Sequence, residues 1–214
     1  LCGYSKNKEG AEKTVKNCIG LSGEAFSFKA DISNEEDRKN LVKNCVKIWG
    51  KIDILVNSAG ISNNNIDEVL SVNFVGPYEL IKLTEKYLQL SKNPVIINIS
   101  SIAGIAALGR NIGYLGSKSA LNAMTISLAR SLGSYGIRVN SICPGFVETE
   151  WWNNRLNGKT ILEIKDNEIK KIPLARIAKV EDIVEPIIFL ASNRSRHITG
   201  QIISIDGGAL LGTL

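Results

Sequence analysis

A tyrosine and a lysine four positions apart are the first residues in this sequence that could do chemistry. They are Tyr114 and Lys118, in the stretch YLGSK. Four residues make about one helical turn, so both side chains would project from the same face. A free phenol has a pKa of about 10, and a nearby ammonium favours the phenolate and lowers that value. The pair therefore predicts proton transfer to or from an oxygen; the alternative is a solvated Tyr/Lys pair on a surface helix.

A serine is the third group that such chemistry would use. Ser101 ends the β-rich run VIINISS, and Tyr114 begins the next helical stretch. A serine hydroxyl could hold a carbonyl or alcohol oxygen in line with the phenol, with the neighbouring Ser100 as the other candidate. None of these groups accepts a hydride, so redox chemistry would need a bound cofactor.

The elements that must position these residues alternate along the chain. The β-rich runs are 25–30, 53–60, 95–101, 138–145 and 201–208, and the helical stretches are 8–20, 34–49, 66–90, 114–132 and 181–192. This alternation predicts an α/β fold, a doubly wound parallel sheet of Rossmann type in a three-layer α/β/α domain. Ser33 with Glu36 predicts a capping box for the second helix, and Gly50 predicts its end. Ligands in such sheets bind beyond the carboxyl ends of the strands, where NSAG, SSIAG and PGFVET lie.

Composition excludes several classes of function. The single histidine, His197, excludes a His-rich metal site, and no metal is predicted. The four cysteines form no C-x-x-C pair and are expected to be reduced. The net charge of +5 is spread among 21 acids without a basic stripe, so no nucleic-acid partner is expected. Without a membrane span or a signal-peptide core, a cytoplasmic location is expected, and an organelle stays open.

Seven motifs in order make the chain similar to the short-chain dehydrogenase/reductase family along nearly its whole length. They are ADIS (30–33), NSAG (57–60), SVNFVG (71–76), NISSIAG (98–104), YLGSK (114–118), PGFVET (144–149) and ITGQIISIDGG (198–208). Within this family, the stretch IPLARIAKVEDIVEPIIFLAS (172–192) followed by ITGQIISIDGG looks most like the 3-oxoacyl-acyl-carrier-protein reductases. The resemblance implies that Tyr114 is the general acid in reduction and the base in oxidation. It implies that Lys118 lowers the Tyr114 pKa and hydrogen-bonds the nicotinamide ribose. Ser101 would orient the carbonyl, and Asn73 would fix a helix bend and hold a water near Lys118.

The resemblance also implies a dinucleotide site to which Tyr114 and Lys118 contribute. Asp31 and Ile32 would meet the adenine. The other lining residues would be Asn57, Ala59 and Gly60 on the adenosine ribose side and Pro144, Gly145, Val147 and Thr149 around the nicotinamide. Family members that prefer NAD(H) usually end the second strand with an acid for the ribose 2′-hydroxyl, whereas here none occurs before Glu9. A 2′-phosphate would meet Tyr4, Ser5 and Lys6, so NADP(H) is favoured over NAD(H).

Two stretches are shorter than the resemblance implies. The family begins with a strand, a glycine-rich turn and a helix, so residues 1–214 are expected to be a single dinucleotide-binding domain that lacks the first β-α unit. Two strands at the centre of the sheet would then have unpaired edges. The connection from Gly60 to Asn73 is also short. We expect an interruption within 62–66, with neighbouring Cα atoms farther apart than the ~3.8 Å of a peptide link.

The function expected from the resemblance is NADPH-dependent reduction of a carbonyl, and most of all of a 3-oxoacyl thioester on an acyl carrier protein. Tyr135 stands where such reductases commonly carry an arginine. Trp151 and Trp152, in a predicted lid over 146–172, could contact an acyl chain or pack the lid down. The alternatives are a sugar, polyol, steroid or other small ketone as substrate, or a non-catalytic binding protein. A homotetramer or homodimer is expected, and no membrane partner.

Overall fold

The computed structural model describes residues 1–149 and 167–212. Within them, strands and helices alternate along the chain. The order is β1 (Cys2–Tyr4), α1 (Lys8–Gly20), β2 (Ser27–Lys29), α2 (Glu35–Trp49), β3 (Ile54–Asn57), α3 (Ile66–Leu70), a π-helical turn (Ser71–Val75), α4 (Gly76–Leu88), β4 (Val95–Ile99), α5 (Ala103–Ala106), α6 (Ile112–Leu132), β5 (Arg138–Pro144), α7 (Val180–Ala191) and β6 (Ile202–Ile205). These bounds confirm the predicted alternation. The predicted helix 66–90 is divided into α3 and α4 by the π-helical turn.

All strand pairs are parallel, but they form two sheets. β1 pairs with β2, and β3, β4, β5 and β6 pair in that order. Among the described strands, β1 pairs only with β2 and β3 only with β4, so each has one unpaired edge. Ile54 and Val56 of β3 are correspondingly 45% and 40% exposed. The predicted parallel α/β architecture is confirmed.

The core lies on both faces of the larger sheet. Ile96 and Val139 pack on one face with Leu121 of α6 and with side chains of α2 and α4. Val95 and Ile97 point to the opposite face, where they pack with Leu190 of α7. Side chains alternate between faces along a strand, so β4 is apolar on both faces because helices cover both.

The ends of α2 show one correct and one wrong prediction. Gly50 follows the helix with φ of 72°, a left-handed conformation that glycine adopts readily. The predicted cap Ser33 is wrong, because its hydroxyl donates to Asp31 Oδ1 at 2.7 Å. Asn34 caps the helix instead and accepts a hydrogen bond from the Asp37 N–H at 3.1 Å. Both residues are good cap formers, and the nearby carboxylate of Asp31 decides between them.

The predicted interruption at 62–66 is wrong. Asn65 N–H donates to Asn63 Oδ1 at 2.9 Å. The Asn111 side-chain amide donates both to Ser62 Oγ at 3.2 Å and to Asn63 O at 2.8 Å. These hydrogen bonds leave no room for a wide separation between neighbouring Cα atoms. The short connection is a compact turn that contacts the residue before α6.

Three further properties concern the described part of the chain. Its four cysteines are free thiols, as predicted. None of its helices combines the length and apolar character needed to cross a membrane. Residues 1–149 and 167–212 also contain no group of three or more His, Cys, Asp or Glu side chains placed to hold a metal ion. Trp151 and Trp152 lie outside the described residues.

Candidate active site

The predicted site lies where β3, β4 and β5 end at one edge of the larger sheet. Pairing between β4 and β5 continues beyond the end of β4. Ser100 N–H donates to Ile142 O at 2.7 Å, and Ile102 N–H donates to Pro144 O at 3.1 Å. The loop that carries Ser101 is therefore fixed beside the end of β5 by backbone hydrogen bonds.

Helix α6 presents Tyr114 and Lys118 at this edge. The helix begins at Ile112, and Asn111 caps it by accepting a hydrogen bond from the Tyr114 N–H at 2.9 Å. Lys118 follows one turn later, and its Nζ lies 5.8 Å from the centroid of the Tyr114 ring. The two groups share one face of the helix, as their spacing predicts. At this separation the charge of the ammonium acts on the phenol.

Lys118 is buried, with 4% of its surface exposed. Its Nζ donates to Ile99 O at 2.7 Å, the one hydrogen bond that the ammonium makes among the described residues. Burial lowers the pKa of Lys118 to about 8, and the facing Cys143 opposes the shift in part. An ammonium has three donors, so this one can also bind hydroxyl groups of a ligand.

Asn73 lies in the π-helical turn and is fully buried. Its side-chain amide donates to Ile61 O at 2.8 Å and to Ser117 Oγ at 3.0 Å, and its Oδ1 accepts from Ile61 N–H at 2.8 Å. A Cβ on Gly60 would lie 3.4 Å from Lys118 Nζ and 3.5 Å from Asn73 Oδ1. The loop after β3, the bend before α4 and α6 therefore meet at the ammonium.

The two serines after β4 have different surroundings. Ser100 is buried, and its hydroxyl donates to Lys118 O at 3.1 Å. Ser101 is half-buried, and its Oγ accepts from the Ala103 N–H at 3.1 Å. The Ser101 hydroxyl proton is not used in that bond, so Ser101 can donate to a substrate oxygen. Ser100 is held against α6, and this difference supports the choice of Ser101.

The predicted adenine and 2′-phosphate residues lie together at the ends of β1 and β2. Tyr4 O accepts from Ala30 N–H at 2.8 Å, which joins the two strand ends. Hydrogen bonds from Ser33 hold the pKa of the Asp31 carboxyl below its usual range, with a smaller effect from the Lys6 charge. Ser5 and Lys6 are exposed, and Ile32 is half-buried.

The predicted ribose-side residues follow β3. Asn57 is buried, and its amide donates to Asn98 Oδ1 at 2.8 Å. Its side chain therefore holds β3 to β4, and its backbone is the part that a ligand could reach. Ala59 and Gly60 are exposed at the loop surface.

The predicted nicotinamide-side residues follow β5. Gly145 N–H donates to Ile205 O at 3.0 Å, and a Cβ on Gly145 would lie 2.9 Å from the Cβ of Asp206. Only glycine fits there without a shift. Pro144 is the last residue of β5, Val147 forms a parallel bridge with Ala178, and Thr149 is exposed.

Two polar residues near the site were not predicted from the sequence. Asn111 caps α6 and contacts the turn at 62–63. An asparagine at the start of a predicted helix is a recognised cap signal, so this role could have been inferred. Asn122 is buried one turn beyond Lys118, and its partners come from distant parts of the sequence. No local pattern indicates it.

Comparisons with known proteins agree on one family. The family model described as Enoyl-(Acyl carrier protein) reductase matches residues 2–209. The chain is similar to the 3-oxoacyl-[acyl-carrier-protein] reductase FabG of Thermotoga maritima, with 32% identity over 96% of this chain and 85% of the relative. It is 31% identical to the protein of the same name in Staphylococcus aureus, with the same coverage.

A solved structure has the same fold. It is a protein assigned as a short-chain alcohol dehydrogenase from Sinorhizobium meliloti. The two structures superpose with a TM-score of 0.89 over 99% of this chain and 86% of the other, at 25% sequence identity.

Proposed function

Because this chain belongs to the short-chain dehydrogenase/reductase family of NAD(P)-dependent oxidoreductases, we propose that it reduces a carbonyl group to an alcohol with NADPH. The substrate we propose is a 3-oxoacyl thioester carried by an acyl carrier protein. One observation carries the proposal: Asn73, Gly60 and the buried ammonium of Lys118 meet beside Tyr114 and the Ser101 loop. Asn73, Ser101, Tyr114 and Lys118 are the proposed catalytic residues.

The described residues fit a nicotinamide dinucleotide. The Lys118 ammonium is buried with donors to spare, and Gly60 has no side chain between the loop after β3 and this ammonium. Lys118 would bind the nicotinamide ribose. Asp31 and Ile32 would meet the adenine, and the segments that contain 57–60 and 144–149 would line the rest. When bound, the dinucleotide supplies the hydride.

The protein's part in the reaction is to supply a proton. Ser101 donates a hydrogen bond to the carbonyl oxygen and holds it near the Tyr114 hydroxyl. With the dinucleotide bound, Tyr114 would give its proton to that oxygen while the carbonyl carbon receives the hydride, so the C=O double bond would become an alcohol. The resulting phenolate is stabilised by the nearby Lys118 ammonium, because an opposite charge favours the ionised form. The phenol is then reprotonated from solvent.

Replacing Tyr114 with phenylalanine tests this proposal. The variant keeps the ring and loses only the hydroxyl, so we expect a fall in kcat of about 10²- to 10⁴-fold, the usual contribution of a general acid. Tyr87→Phe is the matched control, because Tyr87 lies on α4 and packs against the core, has no proposed role in the site, and its loss of a hydroxyl should leave kcat unchanged. The assay is NADPH oxidation. Equal kcat for Tyr114→Phe and the unaltered chain would contradict the proposed role.

The substrate is tested by comparing an acetoacetyl thioester with a panel of small ketones and sugars. The relatives named 3-oxoacyl-[acyl-carrier-protein] reductase support the thioester, and the net charge of +5 suits an acidic carrier. Tyr135, which stands where an arginine is common, favours the small ketones. A higher kcat/KM for the thioester is the expected result. No turnover with any carbonyl, together with partner binding, would instead favour a non-catalytic binding protein.

The preference for NADPH depends on the end of β1. Tyr4, Ser5 and Lys6 precede α1, and the exposed Lys6 can meet a 2′-phosphate. We expect Lys6→Glu to lower kcat/KM for NADPH by about tenfold, which is about 1.4 kcal/mol, and to spare NADH. Lys13→Glu, an exposed position in the middle of α1, controls for the change in net charge. An equal loss with both cofactors would argue against NADP(H).

We propose that the chain assembles as a homotetramer or homodimer through α4 and α6. Exposed apolar residues on these helices support the proposal, among them Tyr78, Ile112 and Ile126. Light scattering after gel filtration tests it, and a monomer at micromolar concentration would contradict it. The assignment of 1–214 to one domain that lacks the first β-α unit stays a prediction.

A further inference from the structure

In the segment that follows Ser101, one carbonyl accepts two side-chain hydrogen bonds from α6. Gly104 O accepts from Ser119 Oγ at 3.0 Å and from the Asn122 side-chain amide at 3.3 Å. The contact is close, because a Cβ on Gly104 would lie 2.6 Å from the carbonyl carbon of Lys118. The position of this loop on α6 therefore determines how far Ser101 lies from Lys118.

Asn122 joins this attachment to β5. Its Oδ1 accepts from Ser141 Oγ at 3.0 Å and from the Cys143 thiol at 3.6 Å. Ser141 and Cys143 are fully buried, and Asn122 is 7% exposed. One amide thus contacts the strand that leads to the proposed nicotinamide residues, the helix that carries Lys118 and the loop that carries Ser101.

We propose that Asn122 is a positioning residue that holds the Ser101 loop in register with α6 and β5. The inference rests on the proposed carbonyl reduction for its effect on catalysis, and on contacts alone for its effect on the loop. A buried amide on α6 that is hydrogen-bonded to two other elements cannot move relative to either of them without losing hydrogen bonds. Such losses are costly in a buried site. Asn122 itself touches none of the reacting atoms.

The test compares two variants, each of which loses the hydrogen bonds of one buried asparagine. Only one of the two asparagines contacts the segment that follows Ser101. Asn122→Leu keeps the branching at Cγ and removes the bonds to Gly104, Ser141 and Cys143. The matched control is Asn140→Leu. Asn140 is also buried, and its side chain bonds only to the 198–201 segment among the described residues. Both variants should lose thermal stability.

Hydrogen exchange of the full chain, measured by mass spectrometry, reports how often the loop that carries Ser101 opens. We expect the amides of residues 101–106 to exchange about tenfold faster in Asn122→Leu than in Asn140→Leu, as a weakened local unit opens more often. Ser119→Ala removes the other bond to Gly104 O at an exposed position. Ser119→Ala should also speed the exchange of these amides, by a smaller factor. It replaces Asn122→Leu in the experiment if that variant does not fold. If the exchange rates of the amides of residues 101–106 are unchanged in Asn122→Leu, the inference is overturned. The same result in Ser119→Ala overturns it where Asn122→Leu does not fold.

Kinetics give the second readout. We expect Asn122→Leu to lower kcat by about 10- to 100-fold, as small misplacements of catalytic groups do, with the KM for NADPH within about twofold. Asn140→Leu should keep kcat within about twofold. Equal kcat losses in the two variants would overturn the catalytic part. If the unaltered chain turns over no carbonyl, the proposed function fails, and the exchange experiment alone decides the role of Asn122.

Discussion

Lys118 should make the folded protein less stable at neutral pH, and its replacement by methionine measures by how much. The side chain is buried, and its one hydrogen bond among the described residues is to Ile99 O. Burial lowers the pKa of Lys118 from the ordinary 10.5 to about 8, so the fold disfavours the charged form. Methionine has a similar length and carries no charge. Lys118→Met therefore removes the cost of burying an ammonium and keeps most of the packing.

The magnitude follows from the shift in pKa. Each pKa unit corresponds to about 1.4 kcal/mol, so the fall from 10.5 to about 8 corresponds to about 3 kcal/mol at pH 7. Losing the hydrogen bond to Ile99 O offsets about 1–2 kcal/mol of this gain. We expect Lys118→Met to raise the free energy of unfolding by about 1–2 kcal/mol at pH 7, and to abolish turnover.

The sign of the pH dependence is fixed by proton binding. Between pH 8 and 10.5 the unfolded state binds the proton of Lys118 and the folded state has released it. Stability rises with pH wherever the unfolded state binds more protons. The unaltered chain should therefore gain about 2 kcal/mol relative to Lys118→Met between pH 7 and pH 10. The advantage of the variant should disappear over that range.

Urea denaturation at pH 7 and pH 10, followed by circular dichroism, is the assay. Lys13→Met is the control, because it removes the same charge from an exposed position on α1. A Lys118→Met variant that is less stable than the unaltered chain at pH 7 would show that burial of the ammonium does not destabilise the fold. A difference in stability that stays constant from pH 7 to pH 10 would refute this reasoning equally.

Three further predictions concern α6 and the residues that contact it. Asn111→Ala removes the cap on the Tyr114 N–H and should cost about 1 kcal/mol in urea denaturation, whereas Asn111→Asp, which keeps the acceptor, should cost less. A loss equal in both variants would contradict the capping role. Gly104→Ala should lower both stability and kcat, because its Cβ would overlap the backbone of Lys118. Gly116→Ala meets nothing within 4 Å and should stabilise the helix by up to about 1 kcal/mol, as thermal denaturation of both variants will show.

Patterns that repeat locally could be predicted from the sequence. The helix 8–20 matches α1 at both ends, and Tyr114 and Lys118 share a face because helix geometry alone requires it. The predicted N-cap of α2 is wrong because Ser33 and Asn34 both suit that position. Only the hydrogen bond of Ser33 to Asp31, which the sequence does not show, leaves Asn34 as the cap. Asn122 could not be found, because its hydrogen-bond partners lie far away along the chain and meet only after folding. The turn at 62–66 was misjudged because its length was compared with a family average.

The division into two sheets separates the halves of the proposed dinucleotide site. Lys6 and Asp31 follow the strands of the smaller sheet. Gly60 and Gly145 follow strands of the larger sheet, and Lys118 lies on α6, which packs against that sheet. In the described chain, no strand ladder joins the sheets, and α2 provides packing between β2 and α4. A dinucleotide that binds residues of both sheets would link them. Part of its binding free energy would then raise the free energy of unfolding of the protein.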